Sequence, residues 1–376
     1  MVDWIPLGEL GEIVAGSTPS THVKEYWNGD IPWITPADLT NFQGVFFTGE
    51  LRKITKAGYD SCSTKMLPAG SIIYSTRAPI GHCTVNAFPL CTNQGFKSII
   101  PNENLNAVYG YYALRFLTPQ IVAMGRGATF GEVNKEIFEG IRIPLPPLPE
   151  QQRIAAILDR ADRLRRTRRY AAQLSETFLQ AVFVRMFGDA VTRFQKWDVV
   201  EVQEVGESLD SKRIPVEASI RATKRGQYPY YGASGIIDYV DEYIFDEETL
   251  LVAEDGANLL ARSTPIAFIA SGKYWVNNHA HVLTMKDRCH ILYLCELLNY
   301  TDLKPLVTGN AQPKLTAAKL AEMRIPLPPL VLQEKFARIV QQFERLRAQQ
   351  REAERQAGHL FQALLQRAFG SRNLRN

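Results

Sequence analysis

The segment Ile143-Pro144-Leu145-Pro146-Pro147-Leu148 returns as Ile325-Pro326-Leu327-Pro328-Pro329-Leu330, 182 residues further on. An arginine precedes each copy (Arg142, Arg324), and a helical pattern follows each. Three prolines in six residues hold the backbone extended and remove amide donors, so neither copy sits inside a helix. A helix can begin directly after the last proline. An identity of this length, continuing in register, marks a duplicated unit, and the whole chain is read as globular part, joint and helix, repeated.

After each joint the hydrophobic period changes to a heptad. Ile154, Ile157, Ala161, Leu164, Ala171, Phe178 and Val182 follow a 3–4 spacing through Arg168 and Ser175. The second copy runs Phe336, Ile339, Phe343, Leu346, Gln350, Ala353, Ala357, Leu360 and Leu364. This spacing predicts helices over 149–188 and 331–376, with Phe187-Gly188 and Phe369-Gly370 as stop signals. Two helices of matched length, each leaving a globular unit, pair most simply antiparallel, under a pseudo-twofold axis. The polar seam residues Arg168 and Gln350 would then meet and set the coiled-coil register. The alternative for Arg168 is extension into solvent.

The parts outside the helices, 1–148 and 189–330, show short strand signals broken by Gly, Pro, Asn and Ser. Ile31–Thr35, Ser71–Ser75, Gly235–Val240, Thr249–Ala253 and Asn277–Leu283 read as strands, and Leu105–Leu117 as a helix. Gly309 to Lys314 repeats the place of Gly127 to Glu132 at the same 182-residue offset. The fold class is α+β, with two mixed α/β domains joined by two long helices in an antiparallel coiled coil and a pseudo-twofold internal repeat.

The chain carries +4 net charge, and its distribution is uneven. Residues 150–188 hold eight arginines against four acids, and residues 332–372 hold eight basic residues against four acids. The basic excess therefore lies on the helices, which favours a polyanion or an acidic protein partner along them, with a solvated helix face the competing reading for any single arginine. Five cysteines without a Cys-x-x-Cys pair fit a reduced, cytoplasmic setting and no zinc site. No apolar run is long enough for a membrane span, and Met1-Val2-Asp3-Trp4 lacks the start of a secretory leader. No phosphate loop, dinucleotide fingerprint or amino-methyltransferase motif occurs, so no catalytic residue is assigned. Asp246, Glu247, Glu248, Glu254 and Asp255 lack the lysine a nuclease site would place nearby. They read as loop acidity or as acceptors for a base amino group. His279 and His281 read as two residues on one strand face, without a third metal ligand.

In combination, several stretches resemble the specificity subunits of Type I restriction-modification systems. In the first half these are Gly16-Ser17-Thr18-Pro19-Ser20, Trp27 and Gly29-Asp30-Ile31-Pro32-Trp33-Ile34-Thr35. In the second they are Tyr228 to Ile237, Glu254-Asp255-Gly256, Asn278 to Val282 and Ala311 to Leu315. Both proline joints with Glu150-Gln151-Gln152 and Gln333-Glu334 complete the match. The resemblance implies target recognition domains at 1–148 and 189–330, spacer helices at 149–188 and 331–376, and a bipartite, asymmetric target in double-stranded DNA. It implies docking of two methyltransferase subunits and of restriction/translocase subunits. S-adenosylmethionine, ATP and magnesium would belong to those partners, with no cofactor or metal on this chain. Spacer-helix length would act as a ruler between half-sites. The competing reading is a non-catalytic protein-interaction scaffold without DNA recognition.

Polar and basic loop residues are the expected DNA contacts. In the first half these are Ser17, Thr18, Ser75, Thr76, Arg77, Gln94, Lys97, Arg126 and Thr129. In the second they are Lys212, Arg213, Lys224, Arg225, Tyr231, Ser234, Asn258, Asn278, His279, Gln312 and Lys314. For each, turn capping is the competing role.

Overall fold

The computed structural model describes residues 2–77, 79–125, 131–175, 177–189, 192–309 and 313–370. It forms two compact units, Met1–Ala171 with Arg351–Asn376, and Ala172–Gln350. Each unit holds one globular head and part of the helical material.

The first head is built on a five-stranded sheet in the order Gly11–Ala15, Phe96–Pro101, Ile72–Thr76, Ile80–Asn86, Phe46–Phe47. Every residue of the central strand Ile72–Thr76 is buried. Side chains alternate across a strand, and here Ile72 and Tyr74 enter one core while Ile73 enters another. A three-stranded sheet, Arg52–Ile54, Trp27–Ile34 and Cys91–Thr92, lies in the same head. The helix Ala107–Met124 adds Tyr109, Tyr112, Leu114 and Leu117 to the larger core. Its start is capped by Asn106, whose side chain accepts the Tyr109 amide.

The second head repeats this plan with different strands. Its first sheet runs Gly206–Ser208, Ala280–Met285, Thr249–Ala253, Ala267–Ala270. Thr249–Ala253 is again wholly buried, with Leu250 and Val252 in one core and Leu251 in another. A second sheet runs Gly235–Val240, Arg225–Gly232, Lys273–Val276, Phe245–Asp246. The helix Ile291–Tyr300 takes the place of Ala107–Met124.

Both joints are strands as well as proline segments. Arg142–Pro144 pairs antiparallel with Trp4–Pro6, and Arg324–Leu327 with Asp198–Glu201. The start of each head is thus hydrogen-bonded to its end. Helices begin at Leu148 and Leu330, directly after Pro147 and Pro329.

In the first unit Arg165 lies over the Phe361 ring and Arg169 reaches Glu354, so residue numbers rise along one helix as they fall along the other. In the second unit Phe178 stacks on Phe343 and Phe183 meets Phe336. The helices are therefore antiparallel within each unit. The helix expected over 149–188 is divided into Leu148–Ser175 and Phe178–Phe187. Near the break, the Ser175 hydroxyl donates back to the Ala172 carbonyl at 2.6 Å, a local bond that competes with helix continuation.

The expected seam holds in part. Gln151, Ala155, Leu158, Ala161 and Asp162 are buried on the first helix, Ala161 as the heptad count placed it, whereas Ile157 is 39% and Leu164 42% exposed. Arg168 is exposed and Gln350 half-buried, so Arg168 is not the core register residue the heptad count made it. Asp162, one position beyond the counted seam residue Ala161, is fully buried, and its carboxylate pairs with Arg115, Arg165 and Arg166. On the last helix Phe336, Ala357, Phe361 and Leu365 are buried, while Leu346 and Leu360 are exposed. No helix among the described residues is long and apolar enough to cross a membrane.

Candidate nucleic-acid interface

In the first head, Tyr74 pairs with Lys97 and Ser75 with Phe96. The chain leaving these strands is tied at one end of the sheet. The Thr76 amide donates to the Gly95 carbonyl at 2.8 Å, Ser17 to Thr92 at 2.9 Å and Val133 to Thr76 at 3.0 Å. Residues 16–18, 76–77, 93–95 and 132–133 therefore converge. The Asn93 side chain accepts the Gly95 amide at 2.9 Å, closing a turn that leaves Gln94 exposed at its crest. The Thr18 hydroxyl donates to the Gln94 side-chain carbonyl. Beneath this crest Arg77 and Lys97 reach Glu132 at 3.6 and 3.8 Å. Burial holds the Lys97 ammonium below its usual value, which Glu132 only partly offsets.

The second head reproduces the backbone. Val252 pairs with His281 and Ala253 with Ala280. The Glu254 amide donates to the His279 carbonyl at 2.9 Å, and Leu315 to Glu254 at 2.8 Å. The Asn277 side chain accepts the His279 amide at 2.8 Å and leaves Asn278 exposed in the place of Gln94. The charges around that shared turn differ. His281 stands where Lys97 does, Lys314 where Glu132 does, Glu254 where Thr76 does and Asp255 where Arg77 does. Lys314 reaches Glu254 at 2.9 Å, and His279 reaches Asp255 at 2.8 Å.

His281 is buried at the centre of this second network. Its Nδ1 lies 2.6 Å from Asp210 Oδ2 and its Nε2 2.8 Å from the Leu315 carbonyl. Both nitrogens face acceptors, so both carry hydrogen and the ring is an imidazolium. Burial alone would lower its pKa, but the bonds to Asp210 and the Leu315 carbonyl, with Glu254 nearby, leave it raised. Asp210 and Glu254 are held below the usual carboxylate range. Burial pushes both up, and it is outweighed at Asp210 by His281 and the Val282 amide, and at Glu254 by Arg213 and Lys314. The ligand atoms of Asp210, Glu254 and His281 lie within 4.8 Å of one another. Arg213 and Lys314 already occupy Glu254, and both nitrogens of His281 are committed, so the trio is an ion-pair network.

The folded protein binds the His281 proton more tightly than the unfolded chain does. The stabilisation is therefore complete below about pH 6.5 and lost as pH rises through the elevated folded value. The two carboxylates contribute stability above about pH 4 that is lost in acid. The denaturant stability of the second unit should fall as pH rises above about 6.5, and His281→Gln should flatten that fall. An identical slope in the variant would show that another group is responsible.

The other expected contacts divide. Ser75 and Thr76 are fully buried. The Ser75 hydroxyl donates to the Pro79 carbonyl at 2.7 Å and that of Thr76 to Gly95 at 3.4 Å, so neither is offered to a ligand. Asn258 closes its own loop onto Thr264. Ser17 is half-buried, its carbonyl accepting the Trp33 indole at 3.0 Å. Lys212 reaches Glu247 at 3.7 Å, and Lys224 reaches Glu242 at 2.9 Å. Lys224 and Arg225 lie where the hairpin Arg225–Gly232/Gly235–Val240 begins, away from the converging loops. Ser234 is exposed at that hairpin's turn, and Tyr231 packs on Phe268 and Tyr274 beside Asn277. His279 is exposed in a turn and His281 buried in the strand, so they do not share a strand face. Arg126, Thr129 and Gln312 lie outside the described residues.

Sequence reasoning missed Glu132, Asp210 and the two turn-closing asparagines. Asn93-Gln94-Gly95 and Asn277-Asn278-His279 carried the signal: an asparagine whose side chain can close a turn two residues on.

Fold and site together define a class: a duplicated α+β chain in which each head presents a side-chain carboxamide on a braced turn and continues through a proline joint into a long helix. The family model described as "Type I restriction modification DNA specificity domain" matches residues 1–173 and 195–355. The MjaIX specificity subunit of Methanocaldococcus jannaschii is 30% identical over 371 residues, covering 89% of this chain and 84% of that protein. The EcoprrI specificity subunit of Escherichia coli is 28% identical, covering 92% of this chain and 88% of its own. The Type I system S subunit from M. genitalium shares the fold, with a TM-score of 0.64 at 15% identity over 98% of this chain and 96% of that one. The chain belongs to the Type I restriction-modification DNA specificity family.

Proposed function

We propose that this chain reads a bipartite, asymmetric sequence in double-stranded DNA, one half-site per head, in the cytoplasm. The observation that carries this is the pair Gln94 and Asn278. Each sits exposed on an asparagine-closed turn at the same end of an equivalent sheet. A carboxamide pairs with the N6/N7 edge of adenine in the major groove. The surrounding charges differ between heads, Glu132 against Lys314 and Lys97 against His281, which favours unlike half-sites.

The chain is non-catalytic in this reading, and two methyltransferase subunits dock on its helices, with restriction/translocase subunits joining them. S-adenosylmethionine, ATP and magnesium would be used by those partners. Ile157 and Leu164, seven residues apart on one helix, are exposed, which supports a protein partner along that face. A groove of about 1000 Å³ beside the first joint, lined by Trp4, Pro144, Ile157 and Leu364 among others, supports the same.

Sequencing for methylated bases in cells co-expressing the chain with its methyltransferase tests the reading. The expected result is one bipartite motif with unlike halves. Gln94→Ala should relax one half and Asn278→Ala the other, each losing about 1–3 kcal/mol of discrimination at one base pair. Methylation that does not depend on this chain would overturn it.

A further inference from the structure

Asp162 is fully buried, and three guanidinium groups converge on it: Arg165 at 2.6 Å, Arg166 at 3.3 Å and Arg115 at 3.5 Å. Arg115 comes from the head and the other two from the first long helix. The Phe361 ring lies 4.7 Å from the Arg165 guanidinium and 5.7 Å from that of Arg115. A single carboxylate thus faces three cations in a place where water screens them poorly. The buried Nε of Arg165 has no hydrogen-bond partner among the described residues, and that of Arg166 faces Asp162 without hydrogen-bond geometry.

A cavity of about 300 Å³ opens here, lined by Thr40, Gln43, His82, Arg115, Arg165 and Arg169 among others. A groove of about 370 Å³ shares Arg165 and Arg169 and continues to Arg351 and Arg355. The acids nearby are Glu354, 3.6 Å from Arg169, and Glu352, 2.6 Å from Arg355. Arg351 is exposed and makes no ion pair among the described residues. The cavity also borders the candidate interface: the His82 amide donates to Ser75 Oγ at 2.8 Å, next to the loop that carries Arg77.

We propose that this cavity and groove bind the phosphodiester groups of a DNA backbone that passes from the reading loops of the first head onto its helices. Guanidinium groups match the two oxygens of a phosphate. The cavity alone would suit a single oxyanion, whereas a row of arginines continuing along the helices matches a ligand with repeated charge. Such contacts carry no sequence information and hold the duplex in register. The proposal rests on the DNA-binding reading above.

The test is the salt dependence of DNA binding by the full chain assembled with its methyltransferase. The probes are a labelled duplex carrying the mapped target and a random-sequence duplex. Arg169→Gln with Arg351→Gln should flatten the slope of log K against log salt by about 2, at about 0.9 per phosphate contact, on both duplexes alike. Arg169→Lys with Arg351→Lys should keep it. Both residues lie at the surface, and thermal melting of each variant checks that the fold is intact. An unchanged slope in the glutamine pair overturns the proposal. So does weaker methyltransferase recruitment at an unchanged slope, which assigns the groove to an acidic protein surface. Thermal stabilisation by inorganic phosphate with no change in slope also overturns it and assigns the cavity to a free anion. If the unaltered complex binds neither duplex, the DNA reading fails and the proposal falls with it.

Discussion

Gln333→Leu should destabilise the second unit by about 3 kcal/mol or more, although the change is apolar and nearly isosteric. Gln333 is fully buried where the joint enters the last helix. Its side-chain nitrogen donates to the Pro328 carbonyl at 2.7 Å and the Arg288 carbonyl at 3.2 Å, and its oxygen accepts the His290 amide at 2.8 Å. Leucine would leave three backbone groups without this partner, one in a buried bond and two in part-buried ones, each costing up to about 1–3 kcal/mol. Gln151 makes the equivalent bonds in the first unit, to Pro146, Asn104 and the Asn106 amide. A tyrosine hydroxyl completes each clamp, Tyr109 to Pro144 and Tyr293 to Pro326, both at 2.6 Å. The joint is therefore rigid for two reasons: prolines restrict its backbone, and a glutamine and a tyrosine take up carbonyls the prolines leave free. Urea unfolding followed by tryptophan fluorescence measures the cost, with exposed Gln342→Leu as a control within about 0.5 kcal/mol. A loss below about 1 kcal/mol would remove the clamp role.

Arg213→Ala should cost about 3–5 kcal/mol in the second head and abolish reading of its half-site. Arg213 was expected among the DNA contacts, but its guanidinium is turned inward. It reaches Glu254 at 2.6 Å, the Ala280 carbonyl at 2.8 Å and Asp210 at 3.2 Å, with each of these side chains no more than 15% exposed. Removing it leaves two poorly solvated carboxylates with His281 between them and only the Lys314 ammonium beside Glu254. It also frees the loop at 210–213 from the turn that presents Asn278. A direct phosphate contact would behave differently, weakening DNA binding at unchanged stability. Denaturant unfolding and duplex binding measured on the same variant separate the two, and unchanged stability would return Arg213 to the list of contacts.

The local elements were the legible part. Gly235–Val240 and Thr249–Ala253 form strands at the expected residues, because β-branched and aromatic runs bounded by glycine or acidic turns leave few alternatives. Both long helices start directly behind Pro147 and Pro329, the first carrying Pro149 in its opening turn. The helix face was less legible. A heptad count treats Ile157 and Leu164 as core, but both are exposed, while Asp162 is buried with its arginine partners. Nothing near Asp162 in sequence marks it as buried, since Arg115 arrives from 47 residues away. The candidate site was half legible: Gln94, Asn278, Arg77 and Lys314 were singled out by residue type and loop context. Ser75 and Thr76 have the same types and context and are inside.

By itself the sequence determined the duplication, the two joints, the helix starts and the family, because proline geometry and hydrophobic period act over a few residues and are repeated in both halves. The tertiary structure alone decided that Glu132 and Lys314 occupy one topological place with opposite charge, that His281 is a buried cation, and that three arginines share Asp162. Those outcomes depend on which distant groups are brought within a few ångströms where water is excluded. There the energy of a charge is set by its neighbours in space, which its neighbours in sequence do not reveal.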